Sequence, residues 1–157
     1  MDGRAGARAA LDPRVQWLRT VPGASHYTAL ALACRIGDIG RFPTPRSLAN
    51  YWGLTPRCGS SGETERLGSI TKEGSALARY LLAQMVLHVL KRDARMREWF
   101  RRIKQRRGAK IARVAVMRRL TVIFWHMLKK QQPYKIAAAA TRRAKSPRVA
   151  KSAPGNS

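Results

Sequence analysis

Residues 75–90 read SALARYLLAQMVLHVL, and the way this stretch is read decides the fold. Ser75 has the hydroxyl of a helix N-cap. Leu77, Leu81, Met85 and His88 then recur at helical spacing, with further apolar residues around most of the circumference. A helix apolar on so many sides predicts a central, covered position. Downstream, Lys91 to Arg107 is basic around an apolar patch of Trp99, Phe100 and Ile103, and Gly108 breaks it. Lys110 to Leu128 is a further helix, apolar at Ile111, Val114, Ala115, Leu120, Phe124 and Leu128, with Pro133 stopping continuation.

Upstream, Thr55 to Gly74 is about twenty residues of Gly, Ser, Thr and charge without periodicity, long for a connection in a small domain. Before it, Phe42-Pro43-Thr44-Pro45 makes a turn into a short helix carrying Ser47, Leu48, Tyr51 and Trp52, closed by Gly53. A helix from His26 to Ile36 ends at Gly37, and a short one opening at Pro13 carries Val15, Trp17 and Leu18. The expectation is an all-α fold: a compact helical domain over 13–134, its core on helices 75–90 and 110–128. A helix-hairpin-helix-like part stands at its start, and a long Gly/Ser loop interrupts it. Residues 1–12 read as a flexible leader and 135–157 as a disordered basic tail.

The chain has 157 residues, 45% of them hydrophobic, with 32 Lys and Arg against 8 Asp and Glu for a net charge of +24. So much charge repels itself unless a polyanion neutralises it, which makes nucleic acid the expected partner. The longest apolar stretches, Tyr27 to Cys34 and Leu81 to Leu90, are too short to span a bilayer. The start, MDGRAGARAALDPR, has no apolar signal region. A cytoplasmic, nucleoid-associated protein with no membrane partner is expected. Cys34, Cys58, His26, His88 and His126 lack metal-ligand spacing, so no metal site is expected, and Cys34 reads as a small buried hydrophobe.

Three segments hold the candidate site residues. In the turn, Pro22, Gly23 and Ser25 would aim backbone amides and a helix N-terminus at a phosphate. The alternative is a plain packing turn with no ligand. In 91–110, Asp93 and Glu98 are the only acids, and Arg101, Arg102, Arg106, Arg107 and Lys110, continued by Arg113 on the last helix, form the expected phosphate surface. On an ideal helix Lys110, Arg113 and Arg118 share an arc of ~140° while Arg119 points away. The third segment, Arg57-Cys58-Gly59-Ser60-Ser61-Gly62, is followed by Arg66, Lys72 and Arg79. Its glycines admit close backbone approach and its cations suit a phosphate, but on the residues alone it reads as an ordinary Ser-Gly loop.

Taken in order, the blocks VPGASHYTALALACRIGDIGRF, RSLANYWGLTP, SSG, LGSITKEGS and RYLL, then the basic helix and the closing KKQQPY, resemble the C-terminal domain of the insertion-sequence 110, 116 and 902 transposases. The resemblance runs from about Val15 to Tyr134. It implies a serine nucleophile that links transiently to DNA, mapping to Ser61 with Ser60 as fallback. Arg57, Arg66, Lys72 and Arg79 would be phosphate clamps. Gly53, Leu54 and Pro56 match the approach to the loop, and Gly68, Thr71, Lys72 and Gly74 match the segment after it. Ser75 stands where the family has Asn. The resemblance also implies an RNase H-like domain that supplies magnesium-binding carboxylates, a guide (bridge) RNA, and assembly of several copies. Only Asp2 and Asp12 precede the hairpin, so magnesium is expected outside this chain and no resident cofactor within it. The expected function is that of a truncated or split DNA transposase domain. The alternatives are a non-catalytic DNA- or RNA-binding module and, less suited to a long Gly-Ser loop, a non-specific basic structural protein.

Overall fold

Asp12 begins the folded chain by capping the first helix: its carboxylate accepts from the Arg14 amide at 2.9 Å and pairs with the Arg14 guanidinium at 2.7 Å. That guanidinium holds the Asp12 carboxyl below the usual carboxylate range, and it also donates to the Gly37 carbonyl. Asp12 is therefore part of the domain and not of the leader. The computed structural model describes residues 12–58, 67–70, 72 and 74–135. The other leader residues and the tail from 136 onward lie outside the described residues.

Helix α1 (Pro13–Arg19) and helix α2 (His26–Ile36) pack on each other across the turn. A 3₁₀ turn (Ile39–Arg41) and helix α3 (Pro45–Tyr51) follow, α3 opened by a reciprocal Thr44–Ser47 capping box. Strands β1 (Pro56–Cys58) and β2 (Leu67–Ile70) pair antiparallel, Pro56 opposite Ile70 and Cys58 opposite Leu67, with an irregularity between. Helices α4 (Ala76–Arg92), α5 (Ala94–Arg107) and α6 (Ala109–Lys130) complete the described chain. The expected all-α architecture holds, because helices supply most of the core, with Val21, Phe42, Trp52 and Leu54 added from the turns between them. The ribbon is a correction: the two ends of the segment read as an aperiodic loop are paired strands. A run of three or four residues is too short to show alternation.

The hierarchy among helices also differs from expectation. Helix α4 is one-sided: Leu81, Leu82, Met85, Val86 and Val89 are buried, whereas Tyr80 is 59% and Leu87 60% exposed. The helix at the centre is α6, which packs against α1, α3, α4, α5 and the 3₁₀ turn. Val116, Leu120 and Phe124 are fully buried on it, each contributing about 1.5–3 kcal/mol of transfer free energy. Cys34, expected in the core, is exposed, because α2 turns Ala29, Leu32, Ala33 and Ile36 inward instead. Ile111 is likewise 51% exposed.

The basic segment is two helices. Asp93, only 6% exposed, separates α4 from α5 and caps α5 by accepting from the Met96 amide at 3.0 Å. Its other oxygen accepts from the Tyr134 hydroxyl at 2.7 Å, and the Tyr134 amide donates to Thr20 Oγ1 at 2.7 Å. The closing segment therefore ties the α4–α5 junction to the hairpin turn. Burial and the Asp93 carboxylate raise the Tyr134 pKa above the ordinary phenol range.

Tyr134→Phe leaves a buried carboxylate oxygen without its donor, and urea denaturation should show a loss of about 1–3 kcal/mol. Because the folded state holds a proton that the unfolded phenol releases, this contribution is complete below the ordinary tyrosine pKa of about 10. It declines as pH rises above that value. A variant equal to wild type in stability at neutral pH would contradict the assigned tie.

Candidate nucleic-acid interface and loop stem

The Gly/Ser segment leaves and re-enters the core through one tightly bonded stem. After α3, Gly53 takes a φ of +69° and the Leu54 amide donates to the Ala49 carbonyl at 3.0 Å, so the chain reverses directly under Trp52, which is fully buried. On the return, the Lys72 amide donates to the Gly53 carbonyl at 3.2 Å. Gly74 lies flat against the end of α3: a Cβ there would stand 2.2 Å from the Tyr51 carbonyl oxygen and 2.4 Å from the Trp52 carbonyl carbon. Only glycine permits that approach.

Two guanidinium groups lock the stem. Arg79 Nη1 donates to the Trp52 carbonyl at 3.1 Å and to the Gly74 carbonyl at 2.9 Å, joining the outgoing and returning strands. Two of its five donors are thus given to the chain's own backbone. Arg118 Nε donates to the Leu54 carbonyl at 2.9 Å from α6. Partial burial, with Arg46 nearby, holds its pKa below the usual arginine value. Arg118 therefore leaves the basic stripe expected for it and braces the stem. The signal for this was present in sequence: Arg118 sits on the Val114, Thr121 and Trp125 stripe, and Trp125 Nε1 also bonds inward, to the Phe42 carbonyl at 2.8 Å. Sequence reasoning named Trp52, Gly53 and Arg118, but not as the residues that build this stem.

Of the expected catalytic and clamp residues, Ser60, Ser61 and Arg66 lie outside the described residues. Arg57 is on β1, and its side chain is likewise outside what is described. Lys72 is exposed, with a φ of +56°. Arg79 is brought to the stem as above.

The expected basic surface is exposed throughout: Arg101, Arg102, Arg106 and Arg107 on α5, Lys110 and Arg113 on α6. Glu98 faces Arg102 at 3.6 Å with both side chains mostly exposed, a pair of little energetic weight. Arg119 points elsewhere, its guanidinium 4.8 Å over the Trp99 ring. Lys91 and Arg92 end α4 and do not belong to the basic helix itself.

In the hairpin turn Gly23 has a φ of +85°, and a Cβ there would meet His88 Cβ at 2.7 Å. The glycine is required by packing against α4. The Ala24 amide donates to the Val21 carbonyl at 3.0 Å, and Ser25 caps α2 by accepting from the Thr28 amide at 3.1 Å. Pro22 is buried and Ser25 exposed. Among the described residues no group of three or more His, Cys, Asp and Glu side chains stands together. No described helix is long and apolar enough to cross a membrane.

Gly74→Ala forces a methyl group against backbone, so it should cost about 1–3 kcal/mol by chemical denaturation. Unchanged stability would show that the stem is free to part.

The family model of the transposase IS116/IS110/IS902 family matches residues 15–101. The chain is 33% identical over 127 residues to the transposase for insertion sequence element IS1111A of Coxiella burnetii, covering 78% of this chain and 35% of that protein. It is 36% identical over 129 residues to a probable family 20 transposase of Pseudomonas aeruginosa, covering 79% of this chain and 38% of the relative. A pilin gene-inverting protein of Moraxella bovis is 29% identical over 127 residues, 79% of this chain and 39% of that one. The chain thus spans little more than a third of the length of these relatives. With the family model covering more than half of the chain and both transposases above 30% identity, the chain belongs to the IS116/IS110/IS902 transposase family.

Proposed function

We propose that the chain is the DNA-binding, serine-presenting part of a transposase. The observation that carries this reading is the role of α6, which holds the stem of the Ser60–Ser61 segment through Arg118 and also bears Lys110 and Arg113 of the basic surface. Arg113 and Arg118 are five residues apart, about 7.5 Å of helix rise. That is less than the ~12 Å width of a major groove, so one duplex held on the Lys110–Arg113 surface would lie beside the stem that Arg118 braces. In the hairpin, exposed Ser25 is the group proposed to meet a phosphate, while Pro22 and Gly23 shape the turn.

The proposed chemistry is phosphodiester exchange. The Ser61 hydroxyl oxygen bonds to phosphorus, the bond from phosphorus to the leaving sugar oxygen breaks, and the hydroxyl proton passes to that oxygen. One phosphodiester replaces another, so bond energy is conserved for rejoining. Arg57, Arg66, Lys72 and the uncommitted donors of Arg79 would offset the charge that grows on the phosphate. Magnesium, which family resemblance assigns to carboxylates of an RNase H-like domain, supplies further charge neutralisation when that domain is present. The proposed partners are DNA first, then a structured guide RNA and further copies of the chain.

Binding to duplex DNA should be salt-sensitive and largely independent of sequence: with about six phosphates neutralised, log affinity falls against log salt with a slope near −5. Reversing Arg101, Arg102, Arg106 and Arg107 to Glu should weaken every sequence alike and flatten the slope. A slope near zero in the wild type would remove the electrostatic basis of the proposal.

In a reaction containing an RNase H-like domain of the family, guide RNA and target DNA, a covalent protein–DNA product should form. Ser61→Ala should abolish it with binding almost unchanged, and Ser60→Ala should retain it. The reverse pattern would move the nucleophile by one residue. No adduct with correctly folded components would favour a binding module whose serine loop is idle.

A further inference from the structure

A cavity of about 330 Å³ lies between the first turn of α5, the C-terminal half of α6 and the closing segment 132–135. Its apolar wall is formed by Met96, Ile123 and Met127, and Arg95, Arg119, Lys130 and Lys135 contribute four cations to its lining. The one carboxylate in the lining, Asp93, has both oxygens engaged, by the Met96 amide and the Tyr134 hydroxyl. Arg119 is held in place by its stack on Trp99, so part of the cost of ordering a cation around an anion is met before binding.

This cavity is separate from the serine stem. Its α6 residues Arg119, Ile123, Met127 and Lys130 follow one stripe, whereas Arg118 and Trp125, which bond toward the stem and the 3₁₀ turn, follow another. It is also displaced from the basic surface: Arg95 and Arg106 are eleven residues apart on α5, about 16 Å of rise. At ~3.4 Å per nucleotide along one strand, a strand tracking α5 covers that distance in about five nucleotides.

A lone phosphate would need only the cations. The volume, at the lower end of the ~300–1,000 Å³ typical of ligand sites, and the polarisable methionine wall suit a flat, unsaturated ring system. His126 and half-buried Tyr134 also line the cavity. We infer that the cavity receives one unpaired nucleotide of a nucleic-acid strand, its base against Met96, Ile123 and Met127 and its phosphate among Arg95, Arg119, Lys130 and Lys135. A base inside a duplex is stacked and cannot enter, so the site discriminates unpaired from paired strands. DNA and RNA share this chemistry. The inference rests on the reading of the chain as a nucleic-acid binder, and duplex affinity is the control for that reading.

The test uses the full chain and short single strands carrying one 5-iodouracil, in deoxy and ribo form, with the matching blunt duplex. Photocrosslinking followed by peptide mass spectrometry should place the adduct at Met96 or within Ile123–Tyr134 for single strands and not for the duplex. The arm with the higher yield identifies the strand type. Ile123→Trp fills the cavity without altering charge and should weaken single-strand binding about tenfold, the scale of one lost base stack, with duplex affinity within twofold of wild type. Crosslinks confined to other peptides would overturn the site whether or not the variant folds, as would equal loss on single strand and duplex by a variant with a wild-type melt. If neither single strand nor duplex binds, the nucleic-acid reading fails and the cavity assignment falls with it.

Discussion

Helix α6 has to be covered along a full half of its circumference, and that constraint organises the molecule. Ala112, Val116, Leu120, Thr121 and Phe124 are fully buried on it, so neighbours must approach from several sides at once. Helix α5 lies along it, because the chain reverses between the two at Gly108, whose φ of +88° allows the turn. The α3 end and the outgoing strand of the stem reach it through the Arg118–Leu54 bond, and the 3₁₀ turn reaches it through the Trp125–Phe42 bond. The Gly/Ser segment is thus mounted on the core helix by short, specific bonds, which is what a reactive hydroxyl needs if it is to be presented at a defined place.

The charge excess divides by location. Arg14, Arg79 and Arg118 donate to backbone carbonyls at Gly37, at Trp52 and Gly74, and at Leu54. These arginines act as long hydrogen-bonding braces, for which the planar guanidinium suits better than an ammonium. The α5 arginines and Lys110 and Arg113 stand outward with scarcely an acid among them. A domain that keeps so many like charges on one surface accepts self-repulsion, and a polyanion relieves it. Each family arginine therefore has to be judged by position: Arg79, expected as a phosphate clamp, is first of all a clamp on the chain itself.

Helix positions were legible because period and caps are local. Ser75 and Gly37 act as read, Pro13 and Gly108 bound their helices, and Val15, Leu18, Leu48 and Trp52 are buried as their spacing implied. What sequence could not show was set by partners distant along the chain. Asp93 read as one acid in a basic run, and its helix-breaking role appears only with Tyr134 docked on it. Arg118 read as surface charge although its stripe with Val114, Thr121 and Trp125 pointed inward, and its partner, the Leu54 carbonyl, is 64 residues away along the chain. Cys34 fell on the outer side of α2 because small apolar residues occupy several faces of that helix and periodicity did not choose among them. Gly23 read as either a phosphate-binding turn or a plain packing turn, and the packing partner, His88, appears only in the fold. The loop's serines owe their assignment to family resemblance, since nothing local distinguishes them from any Ser-Gly turn.

The arginines divide into an inner set that builds the stem and core and an outer set that, under the proposed function, holds DNA. Arginine-selective labelling with phenylglyoxal, read by mass spectrometry with and without saturating duplex, tests that division most directly. The prediction is that Arg101, Arg102, Arg106, Arg107 and Arg113 label rapidly in the free protein and are protected by duplex, while Arg14 and Arg118 label slowly in both states. Outer arginines that label equally with and without DNA, or an Arg118 that labels rapidly and is protected only by DNA, would contradict it.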